Sequence, residues 1–155
     1  MKLSKPIILA IAIFVLDQIT KFLVVKFIGF GKVIAIIKPF YFFNLVNLHN
    51  TGIAFSAFTG GNLFFLIFVS IFLIALFIWL LKNYDKLSKL QRYAFCMIFA
   101  GGAGNLVDRI FRGWVVDFLD FGFYGLRWPA FNIADSAVCI AAALIFISLI
   151  KIKKS

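Results

Sequence analysis

The six carboxylates of this chain are all aspartates: Asp17, Asp85, Asp108, Asp117, Asp120 and Asp135. With no glutamate, the His-Glu-x-x-His metalloprotease pattern cannot be written. One histidine, His49, cannot build a multi-histidine zinc centre, so no metal site and no cofactor is expected. A Ser–His–Asp triad would have to use His49, and no nucleophile motif accompanies it. A Ser–Lys dyad stays open, with Lys21 as base and Ser56 or Ser136 as nucleophile. Asp17 weighs against it, because a carboxylate four residues away holds the lysine proton. Two aspartates, in contrast, can hydrolyse a peptide bond unaided. Adjacent carboxyls resist ionising together and share one proton. The ionised member draws a proton from water, and the protonated member assists the carbonyl and the leaving nitrogen. Asp117 and Asp135 are the candidate pair.

These groups sit in a chain made for lipid. Of 155 residues, 64% are hydrophobic, where soluble domains average about 45–50% apolar. Four runs, 7–25, 63–81, 93–111 and 131–150, approach the roughly 20 apolar residues that a bilayer crossing needs. Basic residues gather at their ends. Lys2 and Lys5 precede the first run, Lys82, Lys86, Lys89 and Arg92 fill the link after the second, and Lys151, Lys153 and Lys154 follow the fourth. The net charge of +10 therefore reads as membrane orientation, with both termini and the 82–92 link cytoplasmic, and not as nucleic-acid binding. The first run carries Asp17 and Lys21 and no clear cleavage site, so no removable signal peptide is expected. Cys96 and Cys139 lie in apolar runs and read as small buried hydrophobes.

The outer segments are 26–62 and 112–130. KVIAII and FYFFNLVNL are rich in β-branched and aromatic residues and punctuated by Gly and Pro, which predicts short strands of a small sheet on the outer surface. In 112–130, Trp114, Tyr124 and Trp128 suit a lipid–water interface. The expected fold is an all-α membrane protein, four transmembrane helices with a small extracytoplasmic β-containing segment, forming one domain over 1–155.

That topology puts five of the six aspartates at or beyond the outer half; only Asp85 is cytoplasmic. Asp17–Lys21 and Asn105–Arg109 are four apart, and Asn105–Asp108 and Asn132–Asp135 three apart, so each pair shares a helix face. Lipid would leave those faces unsatisfied, which turns them inward. Ala100 to Gly104 form a small-residue strip for close helix approach. Each feature also has a plainer reading. Asn132-x-x-Asp135 is a helix N-cap pattern. Asp17–Lys21 fits a structural ion pair, and Asp108–Arg109 a helix-end charge cluster. Asp120 fits a solvated loop acid and His49 an interfacial hydrogen-bonding residue. Asn50-Thr51-Gly52 is first a turn signal.

At these positions the sequence resembles the lipoprotein signal peptidase (signal peptidase II) family of bacteria. DQITK at 17–21, HNTGIAFS at 49–56, AGGAGNLVDRI at 100–110, VVDFLDF at 115–121 and FNIADS at 131–136 occur in the family's order and at similar spacing. The resemblance implies a multi-pass peptidase of the bacterial cytoplasmic (inner) membrane with its active site near the outer face. Asp117 and Asp135 map to its catalytic dyad. Asp17, Lys21, Asn50, Gly52, Gly101, Gly104, Asn105, Asp108, Arg109 and Asn132 map to positions that support or contact the site. The implied substrate is a diacylglyceryl-modified prolipoprotein cut just before its lipidated Cys. Membrane lipid is the other expected partner, and the chain is expected to act as a monomer. A transporter or proton channel would also bury charge. It would string its polar groups along a path across the bilayer, often in repeated halves, whereas here the second run is wholly apolar and no repeat is found. A non-catalytic assembly subunit is the other alternative.

Overall fold

A computed structural model describes residues 4–38, 42–52 and 61–152. Four helices are long and apolar enough to cross a membrane: α1 (Lys5–Phe27), α2 (Gly61–Asn83), α3 (Lys89–Arg112) and α4 (Ile133–Ile152). They accompany a four-stranded antiparallel sheet in the order β1 (Val33–Ile37), β2 (Phe43–Asn50), β3 (Val115–Phe123) and β4 (Leu126–Arg127). The expected strands in 26–62 are therefore present. The segment 112–130, read from its aromatics as an interfacial link, instead supplies β3 and β4. Val115, Val116 and Phe118 are buried on both faces of β3, so this strand lacks the alternation that marks a half-exposed one.

Helix ends follow local chemistry. Pro6 lies in the first turn of α1, where its missing N–H costs nothing. Ser88 and Gln91 form a reciprocal capping box on α3, and Gly113 ends it in the left-handed region at φ 83°. That stop turns the chain directly into β3.

α3 is the hub, packing against α1, α2 and α4. Its small-residue strip serves a different neighbour at each glycine. A Cβ on Gly101 would fall 2.5 Å from the Ala134 carbonyl oxygen on α4. On Gly102 it would fall 2.8 Å from Leu73 Cδ2 on α2, and on Gly104 2.6 Å from Asp17 Oδ2 on α1. The strip expected to admit one neighbour thus admits three. Toward the other end of the bundle, Ala94, Met97, Ala137 and Ala141 bury α3 against α4.

The obstacles differ in kind, and so should the variants. Gly101→Val meets backbone that cannot yield, and should cost about 1–3 kcal/mol, lowering the unfolding midpoint in detergent by roughly 2–4 °C per kcal/mol. Gly102→Ala meets only the tip of a leucine side chain and should move the midpoint less. Equal tolerance of both changes would contradict this packing.

Candidate active site

Asn132 is the N-cap of α4 and the centre of the site. Its Oδ1 accepts the Asp135 N–H at 3.0 Å, and Asp135 Oδ2 accepts the Asn132 backbone N–H at 3.2 Å. This is the reciprocal cap that the spacing suggests. The Asn132 amide does more than cap: Nδ2 donates to Asp117 Oδ1 at 2.8 Å and to Asn105 Oδ1 at 3.2 Å. Asn105 Nδ2 in turn donates to Asp135 Oδ1 at 2.8 Å. One asparagine therefore bonds Asp117 through its side chain and Asp135 through its backbone.

Asp117 comes from β3 and is held from the other side by β2. Asn50 stands opposite Val115 in the ladder, so Asp117, two residues on, is its diagonal neighbour on the same face. Asn50 Nδ2 donates to Asp117 Oδ2 at 2.9 Å. The Gly52 N–H bonds Asn50 Oδ1 at 2.8 Å, which orients the amide with its NH2 toward the acid. Gly52 has φ 80°, a conformation that side chains rarely take.

Asp117 is 4% exposed. Burial pushes its carboxyl up to about 6, the Asn50 hydrogen bond opposes this, and the nearby Asp135 charge adds to the rise. Between its ordinary value of 3.8 and about 6, the folded chain thus holds a proton that the unfolded chain has lost.

Beneath the pair lies Lys21, 0% exposed. Its Nζ donates to Asp17 Oδ2 at 2.8 Å, Asp108 Oδ2 at 2.9 Å and Asn105 Oδ1 at 2.9 Å. Asp17 extends the network, its Oδ1 accepting the Ala134 N–H in the first turn of α4 at 2.9 Å. Asp108 also pairs with Arg112 at 2.5 Å. Two carboxylates and two cations thus balance, and the network joins α1, α3 and α4.

The network settles several sequence readings. Asp17–Lys21 is an ion pair, widened by Asp108. All three ammonium hydrogens are donated, which leaves Lys21 no lone pair with which to act as a base. Ser136 Oγ donates to the Asn132 carbonyl, and Ser56 lies outside the described residues. The Ser–Lys dyad therefore has no support here. Asp108 pairs with Arg112 and not Arg109, because residues four apart share a helix face and adjacent ones do not. Arg109 Nη1 reaches the Asn105 carbonyl at 3.3 Å, and its guanidinium lies 5.5 Å from the Phe65 ring centre. It is within electrostatic range of Asp135, Asp117 and Asp108 without an ion pair to any of them among the described residues. Gly101 and Gly104 act through helix approach, as above.

Asp120 is not a solvated loop acid. It is 7% exposed, stands opposite Asn44 in the ladder and accepts its amide at 2.9 Å. It also pairs with Arg127 on β4. Burial pushes its carboxyl up, but the Arg127 and Asn44 hydrogen bonds outweigh burial and hold it below the usual range. His49 stacks between Phe30 and Trp114, with ring centres 4.2 and 4.3 Å away. Among the described residues its ring contacts are aromatic. Two supporting residues were not singled out from sequence. Gln18 donates to Asp17 Oδ2 and to the Gly104 carbonyl, both at 3.1 Å, and Arg112 carries the second cation. The i, i+4 spacing of Arg112 from Asp108 was the available signal; Gln18 offered none beyond its place beside Asp17.

Four helices of membrane-crossing length, with two aspartates drawn to one asparagine at one end of the bundle, define a multi-helix membrane protein with a carboxylate pair. The sequence profile described as Signal peptidase (SPase) II matches residues 9–151, and the chain belongs to that family. It is 38% identical to a lipoprotein signal peptidase of Alteromonas mediterranea over 141 residues, covering 89% of this chain and 76% of the relative. It is 36% identical to one of Staphylococcus aureus over 149 residues, covering 96% and 90%. A solved structure described as a bacterial membrane enzyme, determined at 1.9 Å resolution, superposes with a TM-score of 0.82. It is 36% identical, with 94% of this chain and 92% of that one covered.

Two outcomes follow from this geometry. Lys21→Met leaves one buried carboxylate uncompensated and should cost roughly 3–5 kcal/mol near neutral pH. Adding Asp17→Asn leaves only the balanced Asp108–Arg112 pair and should recover part of the loss; a double variant no more stable than the single would refute the charge count. The second outcome concerns pH. Because the Asp117 carboxyl is raised in the fold, its contribution is most favourable below 3.8 and becomes a penalty as pH rises through about 6. The stability of the parent relative to Asp117→Asn should therefore fall between pH 4 and 7, by at most about 3 kcal/mol. A flat difference across that range would contradict the assignment.

Proposed function

We propose that this chain is an aspartic endopeptidase that removes signal peptides from diacylglyceryl-modified prolipoproteins, with Asp117 and Asp135 as its catalytic dyad. The observation that carries this reading is the bridging by Asn132, which bonds both carboxylates in a chain of the signal peptidase II family.

With its carboxyl raised to about 6, Asp117 carries the proton of the pair in the reactive form. The ionised carboxyl takes a proton from a water placed between the two acids, and the water oxygen bonds to the scissile carbonyl carbon. The protonated carboxyl hydrogen-bonds the carbonyl oxygen as charge develops there. Collapse of the tetrahedral intermediate breaks the C–N bond, and the leaving nitrogen receives a proton from the dyad. The products are a signal peptide ending in a carboxylate and a lipoprotein beginning with its lipidated Cys. Asn132, Asn50 and Asn105 fix the acids, and each carboxylate oxygen retains acceptor capacity beyond its one asparagine or cap bond. Arg109 stands near enough to favour negative charge at the site. The chain's own residues suffice for this chemistry, so it needs no cofactor.

The whole chain acts as one domain, a monomer in the bacterial cytoplasmic membrane. The basic ends put both termini and the 82–92 link inside. The site and the sheet then lie at the outer face, at the level where a lipid-anchored substrate presents its cleavage bond while its signal helix stays in the bilayer.

The test is cleavage of a diacylglyceryl-modified prolipoprotein by the purified chain in detergent with chelator present. The parent should cleave just before the lipidated Cys. Asp117→Asn and Asp135→Asn should each lose at least about 10³-fold in kcat/KM, with helix content unchanged. Retained cleavage in both variants would remove the dyad from the mechanism.

A further inference from the structure

At the other end of the bundle from the acids, α1 and α2 both pack on α3 and scarcely touch each other. Between them runs a groove of about 640 Å3, walled by Ile7 and Ala10 of α1, Phe77 and Leu81 of α2, and Phe99 of α3. Its walls are almost entirely carbon. The basic end closes on Tyr84, whose hydroxyl lies 2.7 Å from Ser4 Oγ and so ties the start of α1 to the 3-10 turn after α2. The Arg92 guanidinium lies 5.0 Å from the Tyr84 ring centre. Its Nε donates to the Leu87 carbonyl and its Nη2 to the Asp85 carbonyl, which hold it over the ring. Among the described residues no carboxylate lies within ion-pair reach of it. Lys5 and Lys82 flank the groove residues Ile7 and Leu81, Lys86 lies two residues beyond Tyr84, and Asp85 is the single acid on that link.

We propose that this groove binds one anionic glycerophospholipid, with an acyl chain along Phe77 and Phe99 and its phosphate at the Tyr84–Arg92 end. An uninterrupted apolar wall suits a chain of methylenes. A fixed guanidinium with neighbouring lysines suits an anionic headgroup, as basic pockets between membrane helices do. Charge also selects against the other occupants. A signal peptide carries a basic n-region at the cytoplasmic end of its helix, which would meet Arg92, Lys82 and Lys86. A second copy lying parallel in the bilayer would bring the same cations to the same end. The inference rests on the membrane-embedded reading of the four helices and on no step of hydrolysis. Extraction from membranes by detergent alone tests that embedding separately.

The experiment is native mass spectrometry of the full chain in detergent, supplied with equal phosphatidylglycerol and phosphatidylcholine of matched acyl chains. The parent should retain one phosphatidylglycerol, favoured roughly fivefold, as about 1 kcal/mol per engaged basic residue implies. Arg92→Gln should bring the two lipids toward parity. Ala10→Trp, which fills the groove, should reduce retention of both. Equal retention of the two lipids by the parent would overturn the proposal, as would undiminished retention by a folded Ala10→Trp. Should Ala10→Trp fail to fold, the Arg92→Gln comparison decides. In native membranes, a photocrosslinker replacing Ala10 should capture lipid; capture of a signal helix or a second copy in its place would also overturn it.

Discussion

A single ammonium group, that of Lys21, holds the arrangement together. It is fully buried and bonded to Asp17 on its own helix and to Asp108 and Asn105 on α3. Asp17 passes the connection to α4 by accepting the Ala134 N–H. A buried ion pair is a poor source of net stability, because desolvation consumes most of the Coulomb gain. What it supplies is register. Three helices of largely featureless apolar surface could slide or rotate against one another at small cost. A lysine with three fixed acceptors permits one alignment, and that alignment sets the height of Asn105 and the start of α4, and hence of Asp135.

The site draws on the same economy of groups. Asn132 is needed to begin α4, and that role fixes its backbone N–H and side-chain oxygen on Asp135. The remaining amide group reaches across to Asp117, so the helix cap and the meeting of the acids are one structure. The burial that raises Asp117 is unfavourable for a carboxylate, and the fold offsets it with two asparagine donors in place of a cation. A guanidinium in direct contact would hold the carboxyl ionised and remove its use as a proton donor. Asp120 shows that alternative three residues along the same strand: paired with Arg127, it is held below the usual range.

The sequence made the four helices legible because lipid demands long apolar runs. It also placed Asn105, Asp108, Asn132 and Asp135 at helical spacings that the structure uses. The strand pair in 26–62 showed through its β-branched and aromatic residues. β3 did not: VVDFLDF is buried on both faces, without alternation, and its aspartates read as marks of a loop. The cost of that reading was Asp120, whose partners Asn44 and Arg127 are set by strand register, which no local pattern discloses. The pairing of Asp108 with Arg112, one helical turn on, was open to the same spacing argument but was not drawn from it. The reach of Asp17 to Ala134 spans 117 positions in sequence and depends on helix packing that spacing alone does not reveal.

The mechanism depends most on Asp117 holding a proton up to about pH 6 beside Asp135. Infrared spectroscopy of the full chain reads this directly through the stretching band of a protonated carboxyl, followed from pH 4 to 8 in the parent and in Asp117→Asn. The prediction is a band that persists to about pH 6 in the parent, bleaches above it, and is absent or displaced in the variant. A parent with no protonated carboxyl above pH 5, or a band that Asp117→Asn leaves unchanged, would contradict the account.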